Sequence, residues 1–532
     1  MSEVLRQDVA PNVHIPEVFN VATIMVDRHL AEGRGGKVAI YYEDQEITYA
    51  DVLAFVNRTG NALRDLGVQI EDRVLLLLLD CPEFVYSFFG AIKIGAVPIP
   101  TNTLLKPADY EYMLNDSRAV VAIVSEALLP QIQAIPRERL RYLRHLLVVG
   151  NAPSGTLSFT DLLERASPEL EPEPTHKDDA AFWLYSSGTT GFPKGCVHLH
   201  HDMVYCAEYY AKGILGIHEY DRTYSVAKLF FAYGLGNALY FPFYVGASTI
   251  LFPGPPTPAN VYWVIERYRP TLFFSVPTNY AMLLAQEGNY DLSSIRLAVS
   301  AGEALPPAIY QRFLERFGIR ILDGIGSTEV LHIFISNRPD DVRPGSSGKV
   351  VPGYEVKIVD EEGRPVPVGE IGDLWVKGDS TCAFYWNKHE KTKETIQGHW
   401  IRTGDKYWQD SDGYYWYAGR SDDMLKVGGM WVSPVEVENC LMEHEKVLEA
   451  AVIGRPDQDG LIKPHAYIVL RPGYEPSEAL AEELKEFVRG RIAAYKRPRW
   501  IEFVDQLPKT ATGKTQRFKL RELASKRSGE RT

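Results

Sequence analysis

Directly after an apolar run, Ala181–Leu184, lies a glycine- and hydroxyl-rich stretch, Tyr185-Ser186-Ser187-Gly188-Thr189-Thr190-Gly191-Phe192-Pro193-Lys194-Gly195. Its glycines allow backbone N–H groups to approach phosphate oxygens without interference from a Cβ atom, and its hydroxyls add donors. Lys194 supplies a compact positive charge. The stretch is not a Walker loop, because its lysine stands three residues after Gly191 and Gly195 takes the place of the Mg²⁺-binding hydroxyl. A short glycine-rich turn is usually only solvated, but this length of matching chemistry favours a loop that holds a nucleotide's polyphosphate.

A second candidate site is the segment Asp323-Gly324-Ile325-Gly326-Ser327-Thr328-Glu329. Its glycines permit a flat ligand to approach the backbone, and Thr328 and Glu329 present oxygens that suit a hard cation such as Mg²⁺. Alone, this pattern is more often a strand-to-helix turn with an N-cap threonine.

Two further segments place charges at glycine turns. Asp405 follows Arg402-Thr403-Gly404 and is suited to bind both hydroxyls of a ribose, with an Asx-type turn as an equal interpretation. Arg420 can add a donor to the same ribose or phosphate, or form a surface salt bridge.

Lys514 ends Pro508-Lys509-Thr510-Ala511-Thr512-Gly513-Lys514, a turn that alone would be solvated. Beside the first loop, a lysine that enters for one step can neutralise charge developing at a phosphorus under attack.

The composition indicates a globular protein with at least two domains, since 532 residues exceed what one hydrophobic core usually supports. The chain has 57 basic and 69 acidic side chains, and its net charge of −12 disfavours nucleic acid or an anionic membrane as the main partner. Its 5 cysteines are widely spaced, which favours reduced thiols over a disulfide scaffold or a zinc site. There is no pattern of a secretory signal, and the apolar run Val74–Leu79 is too short to cross a membrane. We therefore expect a cytoplasmic protein.

The elements that must position these residues alternate along the chain. From about residue 38, short apolar runs such as Val74–Leu79 and Val120–Val124 alternate with helix-like stretches such as Glu83–Ile94, which predicts βαβ units and parallel sheets. The polar segment Asn151–Asp179 is predicted to be a surface connection. After about residue 345, strands separated by glycine turns predict a small antiparallel sheet or barrel.

The segment Gly419–Asp423 marks the last predicted boundary. Beyond it, a helix is predicted over Ser477–Ala494, together with strands and a further helix. The expected fold is therefore α/β, with a large N-terminal domain (residues 1–421) of α/β subdomains plus a small β-barrel-like subdomain, and a mobile small α+β C-terminal domain (residues 422–532).

Five motifs occur in a fixed order over nearly the whole chain: the phosphate loop, GIGSTE, TGD, GRSDD and the terminal TGK. Together they resemble the adenylate-forming superfamily of acyl-CoA synthetases, luciferases and peptide-synthetase adenylation domains. The stretches FWLYSSGTTGFPKG, KLFFAYGLGN, DGIGSTEVLHIF and GRSDDMLKVGGMWVSPVEVE are similar to the benzoate-CoA ligase branch.

The resemblance implies a two-step reaction with ATP, Mg²⁺ and coenzyme A. A carboxylate would attack the α-phosphorus of ATP to form an acyl-adenylate and pyrophosphate. The small domain would then swing about Asp422, and the CoA thiol would displace AMP. A carboxylate is a poor electrophile, and AMP makes it a good one.

The resemblance also assigns roles to individual residues. Lys514, Lys194 and Glu329 would be catalytic, and Thr189 with Glu329 would serve Mg²⁺. The nucleotide would be bound by Ser186, Ser187, Gly188, Thr189, Thr190, Gly191, Lys194, Gly302, Glu303, Asp323, Gly324, Ile325, Ser327, Thr328, Glu329, Asp405, Arg420 and Lys514. Gly428 and Gly429 would line the pantetheine path. Ile325 stands where many members carry a tyrosine that stacks on adenine, so aliphatic packing must replace that ring.

The acyl pocket is predicted by the same resemblance. Its walls would be Phe231, Ala232, Tyr233, Gly326, His332 and Ile333. Small Ala232 and Gly326 would leave a flat slot for an aromatic ring, and Phe231 takes the place of an aromatic gate between the acyl and CoA sites. Plain core packing is the competing interpretation of this aromatic stretch, and a lone histidine is more often structural than a ligand contact.

Three functions stay open at this point. The first is an aryl-CoA ligase acting on benzoate or a close analogue, with a homodimer as a possible assembly. The second is an adenylating enzyme that loads an acyl group onto a carrier protein. The third is a non-catalytic nucleotide-binding protein, against which Lys194, Glu329, Asp405 and Lys514 argue.

Overall fold

The computed structural model describes residues 13–186, 192–421, 423–427, 430–457, 461–509 and 514–529. These residues form an α/β molecule with a large N-terminal part and a small C-terminal domain, as the sequence predicts. Among them, no helix combines the length and the apolar character that a membrane span would need.

The first part of the chain is built on a parallel sheet. Its described strands lie in the spatial order Val97–Pro100, Arg73–Leu77, Val121–Ser125, His145–Val149 and Leu157–Ser158. The helices of this part are Arg28–Ala31, Tyr49–Asp65, Pro82–Lys93, Pro107–Ser117, Leu129–Gln133 and Phe159–Arg165. The apolar run that begins at Val74 lies in the second strand of the sheet, between two neighbours, and is fully buried from Val74 to Leu78, which accounts for its unbroken hydrophobicity. The prediction that Asn151–Asp179 is only a surface connection is wrong, because a strand and a helix capped by Ser158 lie within it.

Two glycines allow the long helices of this part to cross closely. A Cβ atom at Gly60 would lie 2.4 Å from the Leu170 side chain and 3.1 Å from the Gly90 carbonyl oxygen. A Cβ atom at Gly90 would lie 2.9 Å from the Cβ of Thr59. Helix Tyr49–Asp65 begins at a capping box, in which Thr48 and Asp51 exchange hydrogen bonds.

A larger sheet follows, which is parallel in its centre and antiparallel at both ends. Its described strands lie in the order Lys349–Val350, Ile333–Ser336, Ile321–Gly326, Leu297–Ser300, Leu272–Ser275, Arg222–Ser225, Ser248–Leu251, Val38–Tyr42 and Gln45–Thr48. The helices packed with it include Asp202–Cys206, Ala232–Leu235, Phe241–Val245, Pro258–Tyr268, Pro277–Ala285 and Pro307–Phe317. The carboxyl ends of Leu297–Ser300 and Ile321–Gly326 are neighbours, since Ser300 pairs with Asp323. Parallel strands place such ends at one edge of a sheet, where ligands commonly bind.

Two antiparallel sheets complete the N-terminal part. The first consists of Phe384–Tyr385, Lys194–Leu199 and Ala180–Ser186. The second has the order Glu355–Val359, Gly372–Lys377, Trp400–Gln409 and Ile396–Gln397, with Tyr415–Arg420 also paired to Trp400–Gln409, and helix His389–Thr395 lies beside it. This second sheet is the small antiparallel sheet that the sequence predicts after about residue 345.

The C-terminal domain packs helices on both faces of a three-stranded sheet. The sheet comprises Val447–Pro456, Ile462–Leu470 and Trp500–Phe503, and a hairpin of Leu425–Val427 and Met430–Val432 precedes it. Its helices are Pro434–Met442, Glu478–Arg489 and Arg517–Gly529. The predicted helix over Ser477–Ala494 therefore ends earlier, at Arg489.

A buried ion pair joins two helices of this domain. Arg517 donates to Glu438 at 2.8 Å, and Glu438 Oε1 also accepts the backbone N–H of Val452 at 2.7 Å. The charges of Glu438 and Asp423 raise the pKa of Arg517 above its ordinary value although burial opposes this. Arg521 donates to Asp423 at 2.8 Å, so the last helix is tied to the residue next to the predicted hinge.

Candidate active site

The phosphate loop is carried by two antiparallel strands. Ser186 ends the first strand and pairs in register with Lys194, which begins the second. The residues between them that carry most of the predicted donors, Ser187, Gly188, Thr189, Thr190 and Gly191, lie outside the described residues. A β-hairpin of this kind holds both ends of a loop at a fixed separation.

Glu329 lies against the base of this loop. Its Oε1 accepts a hydrogen bond from Ser186 Oγ at 3.2 Å and another from the Tyr385 hydroxyl at 2.7 Å. Burial and the nearby carboxylate raise the pKa of Tyr385, so this hydroxyl keeps its proton. Lys194 Nζ lies 4.5 Å from the centre of the Tyr385 ring. The structure thus brings Ser186, Lys194 and Glu329 together, with Tyr385 at their centre.

The predicted adenine side is formed where two neighbouring strands end. Asp323 Oδ2 accepts the backbone N–H of Leu305 at 3.2 Å and thereby holds the segment that contains Gly302 and Glu303. Burial raises the pKa of Asp323 well above its ordinary value. Ile325 continues the same strand and is only partly buried, so its side chain can offer the expected aliphatic surface.

Asp405 and Arg420 are paired residues on adjacent antiparallel strands. Arg420 Nη1 donates to Asp405 Oδ1 at 2.9 Å and to the carbonyl of Thr403 at 3.1 Å. Gly404 has a φ of +76°, and a Cβ atom there would lie 2.7 Å from Arg420 Nη2. Burial raises the pKa of Asp405, while the positive charges of Arg420 and Lys514 oppose that rise.

Lys514 is brought to the large domain by the C-terminal domain. Its charge acts on Asp405 and also on Glu303, whose carboxylate accepts the backbone N–H of Thr515. Burial raises the pKa of Glu303, and Lys514 is the strongest of the opposing charges. Residues distant in sequence therefore converge at one place, with the small domain contributing a cation.

Gly326 and Ile333, two of the residues predicted to line the acyl pocket, are paired on adjacent antiparallel strands. A Cβ atom at Gly326 would lie 2.6 Å from the carbonyl oxygen of His332, so only glycine fits there. The Tyr233 hydroxyl points to the carbonyls of Ser275 and Val299, at 3.2 and 3.3 Å. Ala232 and Tyr233 belong to a short helix that begins after Phe231.

His332 is buried among aromatic rings. Its Nε2 lies 3.1 Å from Asn237 Oδ1, and its ring centre lies 5.5 Å from that of Tyr233 and 4.4 Å from that of Phe241. Because Asn237 Oδ1 accepts, Nε2 carries the hydrogen. Burial lowers the pKa of His332 to about 3, so the ring is neutral at physiological pH. The contacts are those of a packed structural histidine, and the role of His332 in an acyl pocket stays a prediction.

Sequence reasoning missed two residues that contact the site. Tyr385 donates to Glu329, and His198 Nε2 donates to the backbone carbonyl of Thr328 at 2.8 Å. The only available signal for His198 was the group of three histidines at positions 198, 200 and 201. The predicted hinge Asp422 and the pantetheine-lining Gly428 and Gly429 lie outside the described residues.

Comparisons with known proteins find relatives that match this chain over nearly its full length. The chain is 53% identical to the benzoate–CoA ligase of Thauera aromatica, with 97% of this chain and 98% of that protein covered. It is 46% identical to a 4-hydroxybenzoate–CoA/benzoate–CoA ligase of Rhodopseudomonas palustris, with 95% and 94% covered. The crystal structure of the anthranilate CoA ligase AuaEII in complex with anthranoyl-AMP matches with a TM-score of 0.93 and 51% identity, covering 97% of this chain and 99% of that one. A benzoate CoA ligase from Burkholderia xenovorans matches with a TM-score of 0.88 and 49% identity, covering 94% and 100%.

The matches to family models extend over both domains. The model of the AMP-binding enzyme matches residues 27–386, and that of the AMP-binding enzyme C-terminal domain matches residues 436–514. The predicted resemblance to adenylate-forming enzymes is confirmed: the chain belongs to the AMP-binding enzyme family.

Proposed function

We propose that this protein is an ATP-dependent aryl-CoA ligase, which converts benzoate or a close analogue to its CoA thioester and releases AMP and pyrophosphate. The observation that carries this proposal is 53% identity to a benzoate–CoA ligase over nearly the full length of both chains. The placement of Lys514 against Glu303 and Asp405 supports it, because adenylation needs a cation beside the ribose and α-phosphate.

The first half-reaction uses the residues that converge in the structure. Asp405 accepts hydrogen bonds from the ribose hydroxyls, and Arg420 holds its carboxylate in place. Lys194 and the phosphate loop bind the β- and γ-phosphates. Lys514 orients the substrate carboxylate against the α-phosphorus and neutralises the charge that develops there. The bond from carboxylate oxygen to phosphorus forms as the bond to pyrophosphate breaks.

The donor set also fits Mg²⁺. Glu329 is a hard oxygen ligand beside the phosphate loop, and its hydrogen bonds from Ser186 and Tyr385 both end on Oε1. No cluster of three or more His, Cys, Asp or Glu side chains suited to a metal occurs among the described residues. Mg²⁺ commonly takes only one or two protein oxygens and completes its shell with phosphates and water. Glu329, with Thr189, would hold the ion, which neutralises phosphate charge when bound.

The second half-reaction requires the small domain to move. We place the domain boundary between residues 421 and 422, with Asp422 as the hinge. The hydrogen bond from Thr515 to Glu303 must break when Lys514 withdraws. Gly428 and Gly429 would then approach the pantetheine arm, so that the CoA thiolate can attack the acyl carbonyl and release AMP.

An aromatic acid fits the acyl site best. Phe231, Ala232, Tyr233, Gly326, His332 and Ile333 would line a slot for a flat ring. Gly326 contributes no side chain to this set, because a Cβ atom there would meet the His332 backbone. Benzoate, with no charged ring substituent, suits a pocket whose histidine is neutral. The cytoplasmic location and a homodimer stay predictions.

A panel of aliphatic and aromatic acids tests the proposal. Purified protein, ATP, Mg²⁺ and CoA, with no carrier protein, should form AMP fastest with benzoate-sized aromatic acids. A preference for short aliphatic acids would overturn the substrate assignment. AMP formation that needs an added phosphopantetheinyl carrier protein would favour the carrier-loading alternative. A protein with no carboxylate-dependent exchange of pyrophosphate into ATP would be the non-catalytic alternative.

A further inference from the structure

The residues Ser327–Leu331, here called the glutamate strap, hold Glu329 in a strained turn. Thr328–Val330 form one turn of 3₁₀-helix, which Ser327 caps by accepting the Val330 N–H at 3.3 Å. Leu331 follows with φ 72° and ψ −44°. A leucine in such a region is strained, and this conformation persists only when the surroundings fix it. The direction of Glu329 therefore depends on what holds the strap.

Three consecutive carbonyls of the strap accept hydrogen bonds from other parts of the chain. Thr328 O accepts from His198 Nε2 at 2.8 Å. Glu329 O accepts from the backbone N–H of Cys382 at 2.7 Å, and Val330 O accepts from Ser380 Oγ at 2.8 Å. Of these donors, only His198 lies on the strand that also carries Lys194. This histidine thus connects the phosphate loop to the turn that presents Glu329.

The ring of His198 is fixed on its other side as well. Its Nδ1 lies 2.7 Å from Asp202 Oδ2, and the same oxygen accepts the backbone N–H of Leu199 at 3.2 Å. The Phe182 ring stacks on the imidazole with a centre-to-centre distance of 5.3 Å and an interplanar angle of 19°. His198 and Asp202 are both fully buried. Because a carbonyl oxygen can only accept, the arrangement requires Nε2–H to point at Thr328.

We propose that His198, oriented by Asp202, is a positioning residue for adenylation: it fixes the glutamate strap so that the Glu329 carboxylate faces the phosphate loop. The inference rests on the proposed role of Glu329 beside the metal and phosphates. A group that acts one shell behind a metal ligand typically affects metal affinity or activity by about 10–100-fold. A residue needed only for folding would affect both half-reactions alike.

The chain offers a matched control in His200. It is also buried, and its Nδ1 accepts the backbone N–H of Val21 at 3.1 Å, which belongs to the N-terminal segment and not to the strap. His198→Ala and His200→Ala therefore each remove a buried imidazole from the same stretch. His198→Gln is the rescue variant, because a glutamine amide can still donate to the Thr328 carbonyl.

The test separates the half-reactions and adds a binding readout. In His198→Ala, benzoate-dependent pyrophosphate exchange should fall about 10–100-fold. The Mg²⁺ concentration for half-maximal ATP binding, measured by equilibrium dialysis, should rise by a similar factor. Attack of CoA on supplied benzoyl-AMP should stay within about threefold of wild type. His198→Gln should recover most of both losses, and His200→Ala should show neither.

Hydrogen exchange gives a second, independent measurement. The amides of residues 327–331 should exchange faster in His198→Ala and in Asp202→Asn than in wild type, and should be unchanged in His200→Ala. Equal effects of His198→Ala and His200→Ala, equal loss in both half-reactions, or unchanged exchange of the strap would overturn the inference. If His198→Ala does not fold, Asp202→Asn decides by the same criteria, and His198→Gln should stay close to wild type. Wild-type enzyme without pyrophosphate exchange would instead refute the proposed function itself.

Discussion

Replacement of Lys514 by alanine removes a cation that the small domain presents to both Glu303 and Asp405. Lys514 is exposed, and exposed ion pairs contribute about 0–1 kcal/mol to stability. The free energy of unfolding should therefore change by less than about 1 kcal/mol. A loss of activity would then report chemistry and not folding.

The effect on rate should be much larger. A preorganised group aimed at charge that develops in a transition state contributes about 2.7–4 kcal/mol, which corresponds to about 100–1,000-fold in rate. Benzoate-dependent adenylation should fall by about this factor in Lys514→Ala. Attack of CoA on supplied benzoyl-AMP should stay within about threefold of wild type, because Lys514 has withdrawn by that step.

The assay is pyrophosphate exchange for the first half-reaction and thioester formation from benzoyl-AMP for the second. Lys509→Ala is the matched control. Lys509 faces Thr515 in an antiparallel bridge, pairs with Glu449 at 2.8 Å and also acts on Glu303, but is not assigned to the reacting groups. Lys509→Ala should keep adenylation within about threefold of wild type. Equal loss in both half-reactions for Lys514→Ala, or equal loss for the two variants, would refute the assigned role.

Three further predictions concern the nucleotide, the acyl slot and pH. Asp405→Asn should weaken ATP binding, measured by calorimetry, by about 10–100-fold, because a hydrogen bond to a charged group is worth about 1.5–3 kcal/mol. The control Asp412→Asn, at an exposed position, should leave ATP affinity unchanged. An ATP affinity of Asp405→Asn equal to that of the wild type would remove Asp405 from the ribose site. Gly326→Ala places a Cβ atom 2.6 Å from a backbone oxygen, so kcat/KM for benzoate should fall at least tenfold. In the control Gly36→Ala the added Cβ atom has open space around it, and kcat/KM should not change. Burial lowers the pKa of His332 to about 3, so the unfolded chain binds a proton there below about pH 6.5 and the folded chain does not. The free energy of unfolding should therefore fall as the pH falls from about 6.5 towards 3, by up to about 1.4 kcal/mol per pH unit from this residue. Urea unfolding measured over this pH range should show a correspondingly weaker pH dependence of stability in His332→Gln. An unchanged pH dependence would contradict this.

Much of the architecture followed from hydrophobic patterns. The apolar run predicted over Val120–Val124 forms the strand Val121–Ser125, and the helix predicted over Glu83–Ile94 spans Pro82–Lys93. Both are continuous apolar segments with clear ends. The helix Phe159–Arg165 was missed because its surroundings are polar and rich in proline. The sequence feature that marked this helix was its N-cap, since the Ser158 side chain accepts the N–H of Asp161.

The site was predictable only as far as its motifs extend. Asp405 and Arg420 were assigned together, and the structure pairs them. Tyr385 and His198 were not found, because their contacts with Glu329 and Thr328 arise from strand pairing between distant segments. A single sequence shows neither the register of those strands nor the direction in which a buried side chain points.

The central claim is that a carboxylate and ATP form an acyl-adenylate before CoA enters. The most direct measurement is to incubate the wild-type protein with benzoate, ATP and Mg²⁺ in the absence of CoA, and to detect the enzyme-bound product by mass spectrometry. The account predicts benzoyl-AMP in an amount close to that of the protein, with pyrophosphate released. A protein that forms no adenylate with benzoate or any other aromatic acid, or that forms the thioester without one, would contradict it.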